Sequence, residues 1–545
     1  MRRILVAIAG GVLITSFAAT PVVAAPQQSP KSVSYNEKLR CDEGSPLCAE
    51  PVDSIGRDGS YTGHDEPSTV FYSNKTGAGT NAQYQLTIPK DPIIPPKQDG
   101  TGGTFNFQNR IAFWFGIALC DNQSAPEFTH APCVAGSDRN ISDNPDPTKP
   151  DYVGRHPGGA FMELQFYPPG WAPFQNGISC DARKWCAAMA IFSFNRDMNA
   201  GVDNNAACVA AVGLEPANFA FITKDGKPQA PAAPLSQTTA SFTPDPAHDL
   251  FMNAGDRIAI SIHDTPAGLV TALNDHSTGQ SGFMTASVAN GFAQVNFQPT
   301  ATTCSQSPYA FHPMYATSSE HTRVPWAAHS YNVSFSDEIG HFEYCANIAN
   351  GTCTSDPTDP GSPDADDVGC HTPAESLRIK IGGCTGSDAD FDGPSYLADW
   401  PGSNPNPFLD RLLHPRSVEF TSPTFNGGRN YDRVAFEADM PRIEAADFGG
   451  KCDRTTGTNC VNPPPGAAFY PLFSIRDNND LQGGGNDGCV WQLGGTHIPG
   501  TTNTFGGTTT AEFGPLLFLD YPAAGFKPNH ITNDFRRVIP NPCRR

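Results

Sequence analysis

Apolar residues in this chain recur at every second position in short segments, and Gly, Pro, Asn and Asp end each segment before a helix could complete its turns. The clearest case is RIAISIH, Arg257 to His263, in which Ile258, Ile260 and Ile262 fall on one side while Arg257, Ser261 and His263 fall on the other. A period of two belongs to a strand with one buried face; an amphipathic helix repeats every 3.6 residues. GLVTALN and SGFMTASVA flank the turn-forming DHSTGQ at 275–280 and predict a hairpin. Further strand segments start at 84 (YQLTIP), 111 (IAFWFGIAL), 160 (AFMELQFY), 187 (AAMAIFSF), 330 (SYNVSF), 341 (HFEY), 377 (LRIKI), 433 (RVAFEA), 467 (AAFYPLFSI) and 516 (LLFLDY). The expectation is an all-β protein. Gly 52 and Pro 51 make up about a fifth of the 545 residues, more than in an average soluble chain and less than in a low-complexity one. The chain is folded and rich in turns.

Residues 1–25, MRRILVAIAGGVLITSFAATPVVAA, carry two Arg, an apolar stretch and small residues at the end, the pattern of an export signal. The mature chain is expected to begin near Pro26, without a transmembrane anchor, in a secreted, extracellular or cell-surface location. All 16 Cys follow this segment, and an even count in an exported chain reads as disulfides. Near neighbours suggest local staples: Cys41 with Cys48, Cys120 with Cys133, Cys345 with Cys353, Cys370 with Cys384, and Cys452 with Cys460. A zinc site fits less well, because C-x-x-C pairs are absent. Lys+Arg 35 against Asp+Glu 55 gives a net charge of -20, and the basic residues are scattered; a nucleic-acid partner is excluded.

A Pro, Gly, Ser and Asp-rich stretch, DPTDPGSPDADD at 356–367, can bury nothing and reads as a linker. The organisation expected from it is a signal at 1–25, an N-terminal extension at 26–65, a first β-sandwich module at 66–350, the linker at 351–375 and a second module at 376–545. Three segments recur in order on either side: QYQLTIPKDP with DRVAFEADMP, AFWFGIALCDN with AFYPLFSIRDN, and MELQFYPPGW with LLFLDYPAAGF. Internal duplication and two unrelated β-domains both fit. The Phe-rich strands and Gly/Pro loops resemble the jelly-roll or concanavalin-like sandwiches of secreted carbohydrate-active proteins, a likeness of fold that assigns no residue a role.

Three constellations could carry chemistry. In GGAFMELQFYPPGW, Met162, Leu164 and Phe166 share one strand face, and Phe161, Glu163, Gln165 and Tyr167 share the other. Aromatic rings beside an acid and an amide suit a sugar, since rings cover C–H surface and polar groups bind hydroxyls; an ordinary solvent-facing strand fits the same residues. His312, His321, His329 and His341 fall within thirty residues, among Glu320, Asp337, Glu338 and Glu343. A hairpin would bring His329 and His341 together for acid–base work or metal binding, although ligand spacing such as H-x-H is missing. In GSDADFDGPSYLAD, Asp388, Asp390 and Asp392 alternate ahead of Gly393, and Asp399 stands where the twelfth ligand of a calcium loop belongs. This predicts one structural Ca2+.

The resulting expectation is a protein acting on or binding extracellular polysaccharide or another polymer. In the enzymatic form Glu163 is the acid, base or nucleophile and His341 or Glu343 its partner, with Phe161, Gln165, Tyr167 and His329 holding substrate. The Glu163–Gln165 pair would also suit an acid-acting glutamic peptidase. The alternative is a non-catalytic cell-surface or matrix protein that is structural or binds glycan. A nucleophile elbow, a P-loop and H-E-x-x-H are all absent from the sequence.

Overall fold

The computed structural model describes residues 68–90, 111–124, 132–136, 159–169, 180–197, 202–314, 324–330, 418–439, 489–493 and 530–543, apart from single positions within them such as 74 and 182. It also describes short pieces at 347–349, 352–355, 473–475 and 516–519 and isolated residues at 93, 148, 406, 408, 409 and 412. The described residues form two large antiparallel sheets, as the period-two segments require.

The first sheet has 11 strands. Its path runs β25 (Leu516–Leu519), β26 (His530–Pro540), β22 (Arg433–Asp439), β1 (Ser68–Ser73), β16 (Val324–Ser330), β3 (Phe113–Cys120), β4 (Gly159–Tyr167), β5 (Lys184–Ser193) and β8 (Ala217–Phe221). Off that path β15 (His312–Pro313) pairs with β3, and β9 (Phe251–Asn253) with β5. The second sheet has nine strands in the order β12 (Ser281–Thr285), β11 (Gly268–Asp275), β10 (Arg257–Thr265), β2 (Asn81–Thr87), β19 (Glu419–Thr421), β24 (Val490–Leu493) and β23 (Phe473–Ile475). Here β20 (Thr424–Phe425) joins β2 to β21 (Arg429–Asn430). Three two-stranded ribbons complete the set: β6 with β7 (Arg196–Asp197, Val202–Asp203), β13 with β14 (Ala293–Val295, Gln306–Pro308) and β17 with β18 (Asn347–Ala349, Thr352–Ser355). The helix α1 (Ala206–Val212) begins at Asn205, whose side chain accepts from Cys208 N and so satisfies one of the amides a helix start leaves open.

The sheets pack face to face on one core that draws from both. Phe113, Phe115, Met162, Leu164, Phe166 and Trp326 of the first meet Tyr84, Leu86, Ile258, Ile260, Leu273 and Trp491 of the second or their cluster neighbours. Tyr84 lies 4.8 Å from Trp326 and 5.0 Å from Phe115, centroid to centroid, so aromatic pairs span the sandwich. RIAISIH behaves as its pattern requires: Ile258, Ile260 and Ile262 are buried, and the residues between them are partly open. The hairpin about 275–280 is present as β11 and β12, paired from Val270↔Thr285 to Asn274↔Ser281.

Strands from both sides of the Asp/Pro-rich stretch enter the same two sheets. β22 pairs with β1 from Ser68↔Glu437 to Tyr72↔Arg433, and β19 pairs with β2. Among the described residues, the proposed division at 351–375 therefore does not separate two sets of sheets. The likenesses between halves do not mark equivalent places either, since β2 lies in the nine-stranded sheet and its counterpart β22 in the other. Alternating apolar strands look alike because they meet the same packing demand.

Four disulfides lie among the described residues: Cys120–Cys133, Cys180–Cys186, Cys208–Cys304 and Cys489–Cys543. The first is one of the expected local staples. The third closes a separation of 96 residues, and the fourth ties the end of β26 in the first sheet to the start of β24 in the second. The described residues contain no free cysteine, and this covalent framework fits an extracellular protein.

Candidate functional site

β4 lies inside the 11-stranded sheet, with β3 on one side and β5 on the other. Its alternation is as read from the sequence: Met162, Leu164 and Phe166 enter the inter-sheet core, and Phe161, Glu163, Gln165 and Tyr167 take the other face. That other face is not an open floor. Phe161 and Tyr167 belong to a second apolar cluster with Trp114, Phe192, Phe219, Phe221, Phe242 and Met314, and Glu163 is 2% exposed and Gln165 0%. The expectation of a solvent-facing sugar platform is corrected by this second layer, which covers the outer side of the sheet.

Within the layer the polar side chains form a ladder along one strand. Gln165 Nε2 donates to Glu163 Oε2 at 2.7 Å, and Tyr167 OH donates to Gln165 Oε1 at 2.5 Å. Side chains two residues apart on one strand face are neighbours, so the E-x-Q-x-Y spacing itself builds the chain of bonds. Three small cross-strand partners, Gly116, Ala188 and Ala190, make room for it. Glu163 lies between Gly116 of β3 and Ala190 of β5, and Gln165 lies between Trp114 and Ala188. A Cβ on Gly116 would come 2.3 Å from both the Met162 carbonyl oxygen and the Phe161 ring, so glycine is needed there for close approach. Tyr167 is held at the far end, where it opposes Cys186, and Cys186 is bonded to Cys180.

This arrangement gives Glu163 an amide donor inside an apolar layer. General acid–base or nucleophilic work at a polymer bond needs a carboxyl within hydrogen-bond reach of the reacting atom. Here the Gln165 amide instead bonds the Glu163 carboxyl, and the Tyr167 hydroxyl bonds Gln165. His329 sits in β16, opposite Trp114 on one side and Ser68 on the other, one strand beyond β3 from Glu163. His341, Glu343 and the aspartates Asp388, Asp390, Asp392 and Asp399 lie outside the described residues, as does the 1–25 segment. Among the described residues no group of three His, Cys, Asp or Glu is placed to hold a metal.

Two polar arrangements escaped the sequence reading. Asp121, 1% exposed, follows β3 and accepts from Ser193 Oγ at 2.8 Å, Gln294 Nε2 at 2.6 Å and Gln123 N at 2.9 Å. Burial pushes its carboxyl above the usual range, against the hydrogen bonds from Gln123, Ser193, Gln294 and Ser124 that hold it down. Nearby Tyr309 OH donates to Cys120 O at 2.9 Å, and burial, with Asp121 adding, pushes that phenol up. Asp121 thus joins β3, β5 and the β13 ribbon, partners 72 and 173 residues away, a contact no local spacing announces. His312, one of the concentrated histidines, places Nδ1 2.8 Å from Asp264 Oδ1 and so clips β15 of one sheet to β10 of the other. Both arrangements are satisfied joints between elements.

Against protein-family models, curated proteins and solved structures the chain finds no match.

Proposed function

We propose that this chain is an exported β-sandwich protein of the extracellular or cell-surface side with a structural, non-catalytic role, and that the Glu163–Gln165–Tyr167 ladder is an internal brace of its larger sheet. The observation that carries this reading is the burial of Glu163 and Gln165 together with their mutual hydrogen bonding under an aromatic layer. Disulfides that close both short and long loops support a wall or coat setting, where resistance to unfolding matters more than turnover. The D-x-D-x-D-G spacing that ends at Asp399 adds one structural calcium to the reading.

The test is a panel of cell-wall and plant polysaccharides offered to the secreted protein, with Glu163→Gln in parallel and a glycan array alongside. The expected result is no turnover by either protein, no array signal, and a small loss of stability in the variant. Turnover by the wild type that vanishes in a folded Glu163→Gln protein would restore the hydrolase reading, and array binding that depends on Glu163 would restore a glycan site.

A further inference from the structure

The Asp121 carboxyl holds a hydroxyl on one oxygen and a primary amide on the other, and the two groups come from distant parts of the chain. Ser193 Oγ, at the end of β5, donates to Asp121 Oδ2 at 2.8 Å, and Gln294 Nε2, in β13, donates to Asp121 Oδ1 at 2.6 Å. Gln123 N also donates to Oδ1 at 2.9 Å, and Asn122 Oδ1 accepts from Gln294 Nε2 at 3.3 Å, so carboxyl and amide are each held by a further contact. Asp121, Ser193 and Gln294 are 1%, 7% and 6% exposed. Disulfides anchor the supports: Cys120, next to Asp121, is bonded to Cys133, and Cys304, just before β14 of the β13 ribbon, is bonded to Cys208.

These are the parts of an acyl transfer. A hydroxyl becomes a nucleophile when an adjacent base takes its proton, and an amide nitrogen becomes a leaving group when an acid gives it one. One carboxyl in contact with both groups can do both. Reactants held on the same side chain need no bimolecular encounter, which removes much of the entropic barrier to their reaction. Burial, working against the hydrogen bonds it accepts, makes the Asp121 carboxyl a better proton acceptor than an exposed Asp.

We propose that Ser193 and Gln294 join in an intramolecular ester, formed by way of Asp121 with loss of ammonia, which ties β5 of the 11-stranded sheet covalently to the β13–β14 ribbon. Ser193 Oγ attacks Gln294 Cδ while Asp121 takes the hydroxyl proton; the carbon–nitrogen bond then breaks as the same carboxyl returns a proton to Nε2. The Oγ–H and Cδ–Nε2 bonds are exchanged for Oγ–Cδ and N–H bonds, and nothing is oxidised or reduced. Ammonia leaves for solvent, where it takes up a proton and is diluted, so the exchange is drawn forward. The ester stays in a site from which water is largely excluded, and that protects it from hydrolysis. The cross-link needs no outside substrate and does not involve the Glu163–Gln165–Tyr167 ladder, so it goes beyond the role proposed above.

Peptide mapping of the secreted full chain, digested with trypsin after its disulfides are reduced, tests the cross-link. Residues 185–196, which hold Ser193, should be recovered joined to residues 258–323, which hold Gln294, at the sum of the two peptide masses less one ammonia. Fragment ions should place the junction at Ser193 and Gln294. Mild alkali should split the joined species into its two peptides, with the Ser193 hydroxyl restored and a carboxylic acid in place of the Gln294 amide. In Ser193→Ala the joined species should vanish, and in folded Asp121→Asn its formation should slow by about 100-fold or more. The wild-type digest decides the matter even where a variant does not fold. Wild-type peptides recovered apart with the Gln294 amide intact, a junction at other residues, a joined species that persists in Ser193→Ala, or unslowed formation in folded Asp121→Asn would each overturn the proposal.

Discussion

Gln165 is the pivot of the buried ladder, since its amide donates to Glu163 and its carbonyl accepts from Tyr167. Replacing it by Leu keeps most of the volume, so the cavity contribution is small, and removes both bonds at once. A hydrogen bond to a charged group contributes about 1.5–3 kcal/mol, and a hydroxyl stripped of its partner in an apolar layer costs about 1–3 kcal/mol. The hydroxyl in question is that of Tyr167, whose ring neighbours are Phe219 and Phe221. Together the loss is about 2.5–6 kcal/mol, a large share of the ~5–15 kcal/mol that stabilises a typical domain. Urea unfolding with disulfides intact, followed by tryptophan fluorescence, measures it. Tyr167→Phe alone should cost about 1 kcal/mol, and added to Gln165→Leu it should recover part of the loss, because no orphaned hydroxyl then remains. A Gln165→Leu protein within about 0.5 kcal/mol of wild type, the range of ordinary surface changes, would refute the reasoning and return this face to solvent.

Gly116→Ala should lower stability by about 1–3 kcal/mol through overpacking, read as a fall in melting temperature, because the added carbon meets a backbone oxygen as well as the Phe161 ring. Replacing Cys208 and Cys304 together by Ala should cost up to about 4–5 kcal/mol in chemical unfolding, from the loop entropy released over a separation of 96 residues. Calcium added to chelator-treated protein should raise the melting temperature and give a heat of binding that Asp388→Asn with Asp390→Asn removes; no change in either quantity would remove the calcium loop from the reading.

The fold was legible where one sheet face is open and obscure where both are covered. In β10 and β2 every second residue is buried and the rest are partly or wholly exposed, so the sequence displays its period directly. The sheet order was not legible, because the pairing of Ser68–Ser73 with residues more than three hundred positions later rests on no local pattern. The polar side of MELQFY looks open to solvent only when β4 is taken alone. Its neighbours carry the missing signal. FWFGIALC of β3 is buried at every position, and KWCAAMAIFS of β5 is buried at all but its first. Strands buried on both faces read as nearly continuous apolar runs, whereas strands with one wet face alternate. Two continuous runs on either side of an alternating strand leave its polar residues surrounded by apolar ones, and a carboxyl and an amide so placed must then bond each other. The spacing of Glu163, Gln165 and Tyr167 at alternate positions is what that requirement predicts.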